Sequence, residues 1–101
     1  MPDFTITDNA AEGRYETVVD GMIAILEYDL AGDRITLRHT EVPVALEGRG
    51  IGGALARHAL DDAKARGLTV IPTCPFVIRY LGRHHEYLPL VAQEHRARVG
   101  G

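Results

Sequence analysis

The feature that most constrains this chain is Gly48-Arg49-Gly50-Ile51-Gly52-Gly53, a glycine-rich turn that follows the apolar, strand-like run Glu41 to Leu46 and opens directly into an Ala/Leu-rich segment. Glycines let a turn take positive φ and let a ligand approach the backbone. A helix starting there presents unpaired N–H groups and the positive end of its dipole, which suits an anion. The first expectation is therefore a phosphorylated cofactor; the competing one is a tight turn with no ligand.

The hydrophobic period changes at this turn. Before it the period is two. Arg14 to Val19 alternates weakly and meets Met22 to Tyr28 through Asp20-Gly21, a hairpin pair. After the turn Ala31-Gly32-Asp33, Arg34 to Val42 alternates strictly, so that Ile35, Leu37, His39 and Glu41 are expected on one face. Phe4 to Thr7 is a further short edge strand. From Arg49 to Arg66 the period is 3.6: Ile51, Leu55, Ala56, Ala59, Leu60 and Ala63 share one half of a helical wheel, opposite Arg57, Asp61 and Lys64, and Gly67 supplies the stop. Leu68 to Cys74 reads as a buried strand running parallel to the third, because a helix intervenes. Pro75 fits the first position of a second helix, Phe76 to Leu81, closed by Gly82 or by the His84-His85 pair.

These elements make an α+β (mixed α/β) fold: antiparallel N-terminal strands leading into a β-α-β-α unit. At 101 residues this is one domain, 1–101, with a polar, frayed tail over about 93–101. A net charge of −3 with no basic cluster argues against nucleic acid as a partner. The absence of a long apolar run or a leader argues against the membrane and for a cytoplasmic location. One cysteine makes neither an internal disulfide nor a Cys-based metal framework. His84 and His85 are adjacent, point different ways and lack a spaced third ligand, so they read as surface residues and no metal is expected.

Other phosphate motifs fit poorly. The turn satisfies G-x-G-x-x-G, but it lies mid-chain after antiparallel strands, with Thr73 and Cys74 where a dinucleotide site wants an acid. No Gly-Lys-Ser/Thr follows, so it is not a P-loop. Glu47 to Leu55 instead resembles the R/Q-x-x-G-x-G/A acetyl-CoA motif of the GNAT superfamily of N-acetyltransferases. His39 to Pro43, Leu46 to Gly52, Ala59 to Asp61 and Ile71 to Val77 resemble its short YjdJ-type branch, and the likeness runs from about Asn9 to Val91.

The resemblance implies a single GNAT-like domain in which the strand before the turn splays from its neighbour and pairs with the pantetheine amides, while the turn holds the pyrophosphate. Carried over, Val42, Pro43 and Val44 would face pantetheine, and Arg49, Gly50, Ile51, Gly52, Gly53 and Ala54 the pyrophosphate; Phe76 completes the cofactor set. Glu47 departs from the motif, which wants Arg or Gln there, so it should point to solvent and leave binding to backbone amides and Arg49. The short branch also lacks the helical segment that covers the acceptor in larger members.

Four residues are candidates for the chemistry. Cys74, where a strand meets a helix, is either a core residue or a thiol activated by the helix N-terminus. His39 and Glu41 are either a base for an incoming amine or for the Cys74 thiol, or a solvated pair. Tyr80 is either packing or the acid that protonates the leaving CoA thiolate. Direct attack by an amine and transfer through acetyl-Cys74 both stay open. The functional classes are an acetyl-CoA-dependent N-acetyltransferase acting on an amine of a small molecule or protein, a non-catalytic CoA-binding sensor, and an interaction domain using a sheet edge or the His84 to Tyr87 surface. The acceptor is unknown, and a monomer or weak homodimer is expected.

Overall fold

The computed structural model describes residues 4–99. Five strands form one sheet in sequence order: β1 (Thr7–Asn9), β2 (Arg14–Val19), β3 (Met22–Ala31), β4 (Arg34–Glu41) and β5 (Thr69–Pro72). β1 to β4 are antiparallel and β4–β5 is parallel. The β4–β5 connection carries helix α1 (Ile51–Arg66), and helix α2 (Pro75–Arg83) follows β5. This is the α+β arrangement that the change of period predicts.

Local chemistry explains the boundaries. Asp20 and Gly21 both take positive φ, 53° and 76°, as a two-residue hairpin turn requires. α1 ends at Gly67, φ 68°, which donates to the carbonyls of Ala63 and Lys64. Pro75 opens α2 as expected, and of the two expected stops it is the His pair that ends the helix, which runs through Gly82 to Arg83 and is capped by His84. The edge strand begins three residues later than the Phe4 to Thr7 expectation, pairing Thr7–Asn9 with Glu16–Arg14. Phe4 and Ile6 instead pack against the core.

The buried residues of the strands fall on one face: Tyr15 and Thr17, Ala24, Leu26 and Tyr28, Ile35 and Leu37, Val70 and Pro72. α1 covers it with Ile51, Leu55, Ala56, Ala59, Leu60 and Ala63, the six positions that the helical wheel selects, and α2 adds Val77 and Leu81. On the opposite face, Arg14, Glu16, Val18, Ile23, Ile25, Glu27, Thr36, His39, Glu41 and Ile71 are all partly or fully exposed. Two tyrosines fix α1 and β1 to the sheet: the Tyr15 hydroxyl donates to Asp62 at 2.6 Å and the Tyr28 hydroxyl to Asp8 at 2.6 Å, with Arg66 beside both acids.

Residues 93–99, expected to fray, form 3-10 turns instead. Val99 is buried, and Glu94 pairs with Arg34 of β4 at 2.7 Å. The apolar end of this polar segment holds it down. The last two tail residues lie outside the described ones. No described helix is long and apolar enough to cross a membrane.

Candidate functional site

The site begins where β4 and β5 part. Their pairing stops at Leu37–Pro72, and the amides of Thr73 and Cys74 both turn to the Leu37 carbonyl, at 3.1 Å each. Among the described residues β4 continues to Glu41 with only β3 as partner, so its other edge is left without a strand. A groove of about 480 Å³ opens there, lined by Thr40, Glu41 and Val42 of the strand end, by Leu46 to Gly48, by Gly50 to Gly53, and by Phe76.

The start of α1 forms the groove's far end. Gly50 is its N-cap, at φ 80°, with no side-chain cap and no acidic residue in the first turn. The early amides of the helix are thus left for a ligand or solvent. A Cβ on Gly48 or Gly50 would meet nothing within 4 Å, but their φ values of 87° and 80° reserve both positions for glycine. Gly52 serves a different purpose: a Cβ there would lie 2.8 Å from Cζ of Phe76, so this glycine lets α2 pack close and brings the Phe76 ring into the groove.

Other cofactor candidates spread more widely. Ile51 and Gly52 are buried, and Val44 is 82% exposed on the short 3-10 turn Val44–Leu46. Pro43 precedes that turn, half-buried, and Val42 alone of the three expected pantetheine contacts lines the groove. Arg49 does not line it. Its guanidinium is held by Asp20 of the β2–β3 hairpin at 2.8 Å, on the side where Ala54 also lies. Glu47 is exposed yet sits on the lip, so among the described residues the charged groups lining this groove are the carboxylates of Glu41 and Glu47. Any phosphate bound here would rely on backbone amides and the helix dipole.

A β-bulge corrects the expected facing of β4. Tyr28 pairs with Leu37 but Glu27 with His39, leaving Arg38 as an extra residue. Beyond it the alternation inverts: Thr40 joins Leu26 on the helix-covered face, while His39 and Glu41 turn to the open face, away from that of Ile35 and Leu37. There His39 Nε2 lies 3.3 Å from Glu41 Oε1, with both side chains more than half exposed, 55% and 70%.

Cys74 is the N-cap residue of α2 and is buried, 3% exposed, with its Sγ 3.4 Å from Thr40 Oγ1. It stands behind Thr40 and is not a groove-lining residue. The bulge therefore leaves Cys74 beside Thr40 on the helix-covered side and turns His39 and Glu41 to the other face. Tyr80 is likewise not at the strand end. It stacks on His84, centroids 4.0 Å apart at 20°, and lies beside Gly53, so His84 is no bare surface residue. Burial pushes the Tyr80 phenol above its ordinary pKa against the opposing pull of Arg57.

Sequence reasoning missed Thr40, whose placement on the groove depends on the bulge. It also missed a second groove of about 470 Å³ on the other side of the α1 start, where Phe4, Ile6, Arg49, Arg57, His58 and Tyr80 meet. No cluster among the described residues has three or more His, Cys, Asp or Glu placed to hold a metal.

Comparisons with known proteins agree with this fold. Residues 14–90 match the family described as GCN5-related N-acetyl-transferase. The chain is 44% identical to Protein NATD1 of Gallus gallus over 59 residues, 57% of this chain and 54% of that protein. For Protein NATD1 of Homo sapiens the values are 44% over 59 residues, 57% and 52%. For that of Danio rerio they are 35% over 68 residues, 64% and 62%. The chain thus spans about half the length of the first two relatives. The solution structure of a GCN5-like protein from Staphylococcus aureus shares the fold, with a TM-score of 0.70 at 23% identity over 91% of both chains.

Proposed function

The chain belongs to the GCN5-related N-acetyl-transferase family, and from that premise we propose that it binds acetyl-CoA and transfers the acetyl group to an amine, as a member of the short YjdJ-type branch. The observation that carries the reading is the groove at the β4–β5 splay, which joins a strand edge without a strand partner to an uncapped helix start. An extended chain with amides suits the first, and a pyrophosphate suits the second. Val42, Gly50, Ile51, Gly52, Gly53 and Phe76 are the cofactor contacts we assign.

Acetyl-CoA supplies the activated thioester; the protein has to position it and move protons. Glu41, at the groove mouth and on the open face of the sheet, is the base that takes a proton from the incoming ammonium, and His39 orients its carboxylate. The neutral amine then forms the new C–N bond as the C–S bond breaks; the nitrogen gives up its surplus proton to solvent, and the departing thiolate takes up a proton from solvent. Burial behind Thr40 favours direct attack over an acetyl-Cys74 intermediate. Tyr80, in the neighbouring groove, is assigned no proton transfer.

A CoA-binding module without turnover is the second reading, favoured by the open sheet face, on which no strand residue is fully buried and an acceptor pocket has no wall. Calorimetric titration with acetyl-CoA, then an amine panel followed by thiol release, tests both. Binding with release of CoA supports the transferase. Binding with no turnover on any amine supports the module, and no binding overturns the assignment of the groove.

A further inference from the structure

The open face of the sheet carries an apolar strip close to Glu41. Of the four large apolar side chains that are exposed among the described residues, Val18 (65%) and Ile23 (42%) are cross-strand partners on this face. A third, Val44, follows Glu41 by three residues. The register continues the strip toward the groove: the next residue of β3 on this face is half-buried Ile25, which pairs with Glu16 of β2 on one side and with Glu41 of β4 on the other. Neighbouring strands lie about 4.8 Å apart and same-face residues of one strand about 6.7 Å apart, which puts Ile23 and Val18 roughly 8–12 Å from Glu41 along the sheet. Single exposed apolar residues are ordinary on a protein surface, but a contiguous strip rimmed by polar groups marks a contact surface.

The rim is acidic. Glu16, Glu27, Asp29 and Glu41 stand against Arg14 and Arg38, and both arginines are already paired, with Glu16 at 2.8 Å and with Asp29 at 3.0 Å. Glu27, half-buried between Arg14 and His39 in the register, has no ion pair among the described residues. No wall rises from this face to enclose a small amine, whereas an apolar strip in an acidic surround complements a macromolecule that presents a basic segment with apolar side chains. Resting on the transferase reading above, we infer that the open face is the docking surface of the acceptor, and that the acceptor is a lysine of another protein, set in a basic segment with apolar residues two to four positions from it. An extended chain advances about 3.3 Å per residue, so side chains at that spacing reach Ile23 and Val18 while the lysine ammonium stands at Glu41. The docked partner supplies the wall that the pocket lacks. The lysine ammonium and acetyl-CoA then yield the N-acetyl-lysine amide, CoA thiol and one proton.

The test follows CoA release on three acceptors: two end-capped peptides with the same central lysine and neighbouring arginines, one with isoleucine and one with serine two and four positions to either side, and n-butylamine, the bare lysine side chain. The wild type should use the isoleucine peptide with a kcat/KM at least about tenfold above those of the serine peptide and n-butylamine, the scale of burying one aliphatic side chain. The double variant Val18→Thr, Ile23→Thr keeps the β-branched shape that suits a strand. It should lose the preference while retaining the wild-type rate on n-butylamine and the affinity for acetyl-CoA. Equal rates on all three acceptors, or a preference that survives the double variant, would overturn the inference and leave the transferase reading intact. A wild-type dimer that the double variant splits would give the strip to a second copy of the chain and overturn it as well. Absence of CoA release with any of the three would overturn the inference together with the transferase reading.

Discussion

Replacing Tyr15 by Phe removes one oxygen from the contact that ties the middle of α1 to β2. The ring is fully buried, and its hydroxyl donates to the Asp62 carboxylate at 2.6 Å. A hydrogen bond to a charged group contributes roughly 1.5–3 kcal/mol. Asp62 keeps Arg66 at 3.1 Å and its side chain is 29% exposed, so water can take the vacated position. The loss should therefore lie near the low end, about 1.5 kcal/mol, which lowers Tm by roughly 6–12 °C in a domain of this size. The pH dependence carries the sharper test. Burial acts to raise the Asp62 pKa, but the Tyr15 hydrogen bond and Arg66 outweigh it and hold the carboxyl below its ordinary 3.8. A carboxyl depressed in the folded state contributes stability that is present above the unfolded value and is lost as pH falls through the folded one. The gap between wild type and Tyr15→Phe should thus be full at pH 7 and narrow below about pH 4. Thermal melts followed by circular dichroism at pH 7 and pH 3 measure it. Equal melting at pH 7, or a gap of the same size at both, would refute the reasoning.

At the site, Gly52→Ala should displace the Phe76 ring from its present place on the groove wall and weaken CoA binding by calorimetry, while the gain in helix propensity of up to about 1 kcal/mol offsets part of an overpacking cost of roughly 1–3 kcal/mol. Unchanged affinity would count against Phe76 as a groove wall. Glu41→Gln should lower kcat on a responsive amine about a hundredfold or more and flatten the pH–rate profile, with little change in the KM for acetyl-CoA. A wild-type rate would remove Glu41 as the base. Cys74→Ala should keep turnover while costing about 1–2 kcal/mol of stability for a lost core sulfur and its Thr40 contact, measured by urea unfolding. Loss of turnover in the folded variant would return the acetyl-Cys74 route to favour.

Local signals carried much of the fold. The Asp20-Gly21 turn, the start at Pro75, the Gly67 stop and the six buried positions of α1 are each decided within a few residues, by φ preference or by a 3.6-residue period. The glycine turn was legible for the same reason, although Gly52 proved to be a packing contact with α2 and Arg49 a partner of Asp20. The catalytic candidates fared less well, because a site is built from residues distant in sequence.

His39 and Glu41 show where the limit falls. Strict alternation put them with Ile35 and Leu37, and Arg38 gives no sign that it is a bulge. One extra residue inverts every facing beyond it, and whether it is accommodated depends on the pairing with β3 rather than on β4 itself. The same holds for Thr40 against Cys74, Tyr80 on His84, and the second groove, which joins the start of the described chain to both helices. By itself the sequence determined the strands, the helices, the glycine turn and the family likeness, since each rests on short-range periodicity or backbone preference. Only the tertiary structure decided which side chains share a face and which meet across elements, because strand register and helix docking are fixed by contacts between segments that no local pattern encodes.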